Sequence, residues 1–242
     1  MTWFGNFYRS AIGKKAVMAV TGLILFGWIL AHMLGNLKLY MPAHEDEHGV
    51  MQPALDIYAV GLRELGAPFI PETALLWVTR ILLLVCVILH IHAAYALTMM
   101  NRAARPIAYQ GRDYVKATYA ARTMRWGGVI ILLFVIYHLL HLTTGQAHHD
   151  FSREPDGGVN VYHNVVSGFQ IWWVAAVYII ANLALGLHLY HGVWAMFGSV
   201  GLTNPRFESW RRNFASAFAV LITLGNVSFP LAVLTGFVRL SQ

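Results

Sequence analysis

The chain has 242 residues, 57% hydrophobic and only 12% charged, with a mean hydropathy of +0.54. That balance excludes an ordinary soluble domain, in which about a quarter of the residues carry charge. A single cysteine, Cys86, excludes an internal disulfide framework and a cysteine-based metal or iron–sulfur site, and it lies in an apolar run where a small buried hydrophobe fits.

The N-terminal arm, MTWFGNFYRSAIGKK, is rich in aromatics and lacks cleavage signals. The apolar run after it is longer than a signal-peptide core, so it is expected to remain as a helix. A spanning helix needs about 20 apolar residues. Five stretches meet that length: 16–37, 81–100, 126–147, 171–196 and 214–238. None has the narrow apolar stripe and charged face of a soluble amphipathic helix. The fold expected is all-α and integral to the membrane, a single domain over 1–242 with four of its five helices bundled.

The connections differ in charge. Arg9, Lys14 and Lys15 precede the first span. Arg102, Arg105, Arg112, Lys116, Arg122 and Arg125 lie between the second and third, and Arg206, Arg211 and Arg212 between the fourth and fifth. The opposite side holds only Lys38, Arg63, Arg80, Arg153 and Arg239, with nine of the eleven acids. Lys/Arg asymmetry of this kind places the N-terminus in the cytoplasm and the C-terminus outside a cell membrane. It also accounts for the net charge of +6 without nucleic acid. The outer link 38–73 is long and broken by Pro42, Pro53, Pro68 and Pro71, and the stretch 53–65 is expected to form a short interfacial helix.

Four of the spans carry histidines: His32 in the first, His90 and His92 in the second, His138 and His141 in the third, His188 and His191 in the fourth. A polar group in hydrocarbon costs several kcal/mol unless satisfied, so each is a functional candidate. Given the alternating direction of the spans, the first and third place their histidines toward the outside. The second and fourth place theirs toward the inside. Each level then has one pair drawn from two helices, as bis-imidazole ligation of a haem iron requires. The competing reading is that these are packing histidines hydrogen-bonded between helices. Zinc is a weaker alternative, because it takes four ligands at one locus and no acid lies in these helices. Gly22, Gly27, Gly35, Gly127, Gly128, Gly186 and Gly192 would admit either a close helix or a flat macrocycle.

Several stretches carry a family resemblance: SAIGKKAVMAVTGL with AHMLGNL, HIHAAYALTMMNRAARP, RWGGVIILLFVIYHLLHLTTG and LGLHLYHGVWAMFGSVGL. In this order they resemble the cytochrome b membrane anchor of succinate:quinone and quinol:fumarate oxidoreductases, in its single-anchor, five-helix, two-haem type. The resemblance implies two haem b groups. His32 and His138 would ligate the distal, outer iron. His188 would ligate the proximal, inner iron together with His92, which matches the pattern His-Ala-x-Tyr better than His90 does. His141 and His191 would stand one turn beyond a ligand, toward propionates or quinone. Ala195 departs from the pattern, which has serine after the tryptophan. The resemblance further implies a flavoprotein and an iron–sulfur subunit docked on the cytoplasmic face, with menaquinone in the membrane as the electron partner. An outer quinone site would lie near His32, His138 and His141 under the 39–73 link, with His44, Glu45, Asp46 and Glu47 as proton-exchange groups. An inner one would use Ser10 and Lys14. The alternatives are a cytochrome b subunit of a membrane hydrogenase or formate dehydrogenase, which has a different histidine order, and a histidine-relay transporter.

Overall fold

A computed structural model describes residues 3–45, 49–104, 119–153, 158–199, 201–202 and 204–240. Most of the basic link between the second and third spans lies outside the described residues, as do Asp46, Glu47, Glu154 and Asp156.

Helix α1, Trp3–Arg9, turns back at Ser10 into α2, Ala11–Asn36. Ser10 caps α2: its Oγ accepts from the Gly13 N–H at 2.9 Å and donates to the Phe7 carbonyl at 2.7 Å. A Cβ at position 13 would lie 2.0 Å from the Phe7 oxygen, so only glycine permits this return. At 1.5 Å per residue the 26 residues of α2 extend about 39 Å, more than a hydrocarbon core. The outer link contains a small hairpin, β1 His44–Glu45 with β2 Met51–Gln52, followed by α3, Ala54–Arg63, inside the stretch expected to be helical.

Helix α4, Ala74–Ala103, begins before the expected span, and Arg80, the charge that bounds the uncharged run, lays its guanidinium 4.9 Å from the Trp77 ring centre. Helix α5, Tyr119–His138, passes into a π-helical turn, Leu139–Thr143, and stops before Gly145, whose φ is +78°. Helix α6, Val161–Gln170, lies in what sequence alone leaves as a loop. Asn160 caps it, and Asp56 of α3 accepts from the Tyr162 N–H in its first turn at 2.9 Å. Then come α7, Trp172–Ser199, and α8, Glu208–Leu234. Five helices are therefore long and apolar enough to cross a membrane, in the five places expected.

Helix α7 packs along both α5 and α8, and α2 packs along α4 and touches α7. A Cβ at Gly186 would stand 2.2 Å from Thr223 Oγ1, which shows how tightly α7 and α8 approach. The square α2–α4–α5–α7 is thus closed on three edges. The α4–α5 edge and the two diagonals, α2 to α5 and α4 to α7, have no comparable backbone packing among the described residues. Large apolar side chains such as Leu23, Ile81, Leu133, Ile180 and Leu224 point outward and are exposed. So much exposed apolar surface suits a chain solvated by lipid. Two cores are buried: Leu39, Leu55, Val166, Phe169 and Phe229 at the end carrying α3 and α6, and Met33, Leu189, Phe218 and Ile222 between α2, α7 and α8.

Candidate functional site

The two open diagonals are where the histidines meet. Across α2 and α5, the rings of His32 and His138 have centroids 5.9 Å apart and planes at 81°. Across α4 and α7, the rings of His90 and His188 are 6.4 Å apart at 56°. On α2, Gly22 faces His90 and His32 faces His138. On α7, His188 faces His90 and Tyr178 touches His138. Ten residues separate the two levels on each helix, so both place them about 15 Å apart along the bundle.

The level of His32 and His138 is crowded with rings. Trp28, one turn before His32, stacks on it at 5.9 Å, and Phe134 stands against His138. The Tyr178 hydroxyl lies 3.2 Å from His138 Nδ1 and 3.0 Å from His141 Nδ1. His141 is buried and stacks on Tyr137 on one side and on His148 on the other, at 4.6 Å. A Cβ at Gly168 of α6 would lie 2.8 Å from His141 Cε1 and 3.0 Å from His148 Nε2, so α6 closes directly over this stack.

At the level of His90 and His188 the backbone decides a tautomer. Thr21 donates its one hydroxyl hydrogen to the Val17 carbonyl at 2.7 Å. The 3.2 Å contact between Thr21 Oγ1 and His90 Nδ1 must therefore be donated by His90. That leaves the lone pair on His90 Nε2. A Cβ at Gly22 would stand 3.3 Å from His90 Cε1, which is how α2 comes this close to the ring. His188 Nδ1 and His191 Nδ1 are buried without a hydrogen-bond partner among the described residues.

His92 is not brought to His188. Two residues along a helix is a rotation of about 200°, so His92 faces away from the side His90 presents to the bundle. It is exposed, stacks on Tyr8 at 5.8 Å and meets the Tyr8 hydroxyl at 2.5 Å. Lys14 and Ser10, named above for an inner quinone site, have structural partners instead. Lys14 Nζ donates to the Tyr8 and Arg9 carbonyls at 2.8 and 3.2 Å, closing the end of α1. Near Ala195, Trp194 Nε1 donates to Glu208 at 3.2 Å, and Glu208 also pairs with Arg211 and Arg212.

Two imidazoles that hold one iron from opposite sides must have centroids about 6 Å apart, from two metal–nitrogen bonds of about 2 Å and the half-widths of the rings. Both pairs meet this spacing. Neither suits a bare ion, because no group of three or more His, Cys, Asp or Glu side chains able to hold a metal occurs among the described residues. A group that brings its own equatorial ligands suits them, and the open α4–α5 edge is the side of the bundle the described helices leave unpacked. Gly27 and Gly127, where a Cβ would meet nothing within 4 Å, leave room; Gly35 and Gly186 instead receive Tyr58 and Thr223.

Sequence reasoning missed Thr21 and Tyr178. Their signal was present: each is a hydroxyl in an apolar span, at the depth of a histidine on a neighbouring helix. Comparison with protein-family models, curated proteins and solved structures finds no match for this chain.

Proposed function

We propose that the chain is a dihaem cytochrome b, the membrane anchor of a succinate:menaquinone oxidoreductase. The observation that carries this reading is the pair of cross-helix imidazole contacts, one at each of two levels, each with the spacing of bis-histidine ligation. His32 and His138 hold the outer haem, and His90 and His188 the inner one. His90 takes the place that the motif assigned to His92, because its Nε2 is left unprotonated and its ring, not that of His92, meets His188. When bound, each haem supplies a one-electron iron couple. Two histidines at each level would hold such a group, which would then supply electron transfer rather than oxygen chemistry.

The chain's own residues do the rest. Thr21 and Tyr178 orient the ligands, and Trp28, Phe134 and the surrounding aliphatic side chains exclude water. The basic side, with Arg102, Arg125 and Arg206, is the cytoplasmic side and the docking surface for an iron–sulfur subunit and its flavoprotein. Electrons then pass from the inner to the outer level and to menaquinone.

A reduced-minus-oxidised visible spectrum of the purified chain tests the reading. A b-type spectrum with two haems per chain is expected; a chain purified without haem from a haem-replete host overturns it.

A further inference from the structure

The outer histidine cluster, His138, His141, His148, His149 and His163 with Asp150, has the look of a proton path from the outer surface to the His32–His138 pair. Its hydrogen bonds say otherwise. His148 Nε2 lies 2.8 Å from the Asn164 carbonyl, which can only accept, so Nε2 carries the hydrogen. The Asp150 backbone N–H points at His148 Nδ1 from 3.0 Å, so Nδ1 must accept. His148 is therefore fixed as one neutral tautomer by two backbone groups. Taking a second proton would turn Nδ1–H against an N–H. The ring serves as a wall: it stacks on His141 and, with Gly168, sets where that imidazole sits.

His141 in turn faces Tyr178. One phenol hydroxyl lies between two Nδ1 atoms and has a single hydrogen to give. No other acceptor for it occurs among the described residues. One imidazole must donate to the oxygen while the hydroxyl donates to the other. If His138 accepted, its hydrogen would be on Nε2, and the ring would have no lone pair left for a metal. If His138 donates, its Nε2 is free, and His141 accepts the phenol hydrogen. The Tyr178 ring cannot swing out of this position, because Phe134 and Phe169 meet it edge-on at 5.0 and 4.8 Å.

Resting on the haem reading above, we propose that Tyr178 is a positioning residue for the outer pair. Its hydroxyl holds His138 in the Nδ1–H tautomer and is itself held by His141, which the π-turn after α5 and the α6 cap place beneath it. An outer-shell acceptor of this kind fixes ring orientation and raises ligand basicity. It favours the oxidised iron and lowers the potential of the outer centre. The inner centre is the internal control, since the Tyr178 hydroxyl bonds His138 and His141 and neither His90 nor His188 among the described residues.

The test is a redox titration of both haems in the purified protein, followed optically and by electron paramagnetic resonance. A tenfold fall in the preference for the oxidised iron moves the midpoint of a one-electron couple up by about 59 mV. Tyr178→Phe keeps the ring and its packing, and the outer midpoint is expected to rise by about that amount while the inner one stays. His141→Phe, which keeps the stacked ring and removes only the acceptor, is expected to move the same component by less; it decides the matter should Tyr178→Phe not fold. An unmoved outer midpoint, or equal shifts of both components, overturns the assignment of Tyr178 while leaving the two-haem reading standing. Wild-type protein without haem overturns both.

Discussion

Thr21 and His90 are joined across α2 and α4 by a hydrogen bond whose direction the helix backbone sets, because the Thr21 hydrogen is already given to Val17. The bond separates two histidines that the motif HIH presents as near equivalents. His90→Ala is expected to lower the haem content from two to one per chain, and His92→Ala to leave both. Thr21→Val removes the acceptor with little change of volume, and the inner haem is expected to bind 10- to 100-fold more weakly. Haem-to-protein ratios by pyridine haemochrome measure all three, and loss of a haem in His92→Ala alone would return the inner ligand to position 92.

The five spans were legible because a run of about 20 residues without charge has few other uses. The two levels were legible as well, since they need only the direction of each span and the helical rise. The choice between His90 and His92 was not, because it depends on which face α4 turns toward α2, and both faces are apolar around these positions. Helix α6 was missed because VYHNVVSGFQ has the polarity of a loop; it becomes a helix by resting on the core of Val166, Phe169 and Phe229 while Asp56 satisfies its first turn. The π-turn at Leu139–Thr143 left no mark in the sequence.

Gly168 carries the contact between α6 and the outer histidines. Gly168→Ala would place a methyl group 2.8 Å from His141 Cε1 and 3.0 Å from His148 Nε2, two rings held in a stack. Overpacking of this kind costs about 1–3 kcal/mol. The expected outcome is a lowered unfolding temperature in detergent together with a changed outer haem spectrum and an unchanged inner one. Equal changes at both levels would show that α6 acts on the whole bundle.

Burial pushes the His148 imidazole below the usual histidine value of 6.5, His149 adds to that, and the Asn164 carbonyl and Asp150 oppose it. The folded chain therefore binds fewer protons at this site than the unfolded chain does. Its contribution to stability is level above about pH 6.5 and falls as the pH drops below it. Limited proteolysis of the 148–163 segment between pH 5 and 8 is expected to speed up on the acid side, and His148→Gln to flatten the profile. Faster cleavage on the alkaline side would reverse the sign.

The orientation proposed for the chain rests on where its lysines and arginines cannot go. Translocating a short loop with several basic groups is opposed, and acids weigh little in the balance. The N-terminal arm, the 102–125 link and the 206–212 segment together hold twelve basic residues against five on the other side. Cys86, the one native thiol, is buried, so a Cys86→Ser background is quiet and tolerates single engineered cysteines. A membrane-impermeant maleimide applied to intact cells is expected to label Val50→Cys, exposed in the outer link, and to spare Ala103→Cys at the end of α4 until the membrane is opened. The opposite pattern would invert the proposed orientation, placing the His32–His138 level on the cytoplasmic side and the His90–His188 level at the far side.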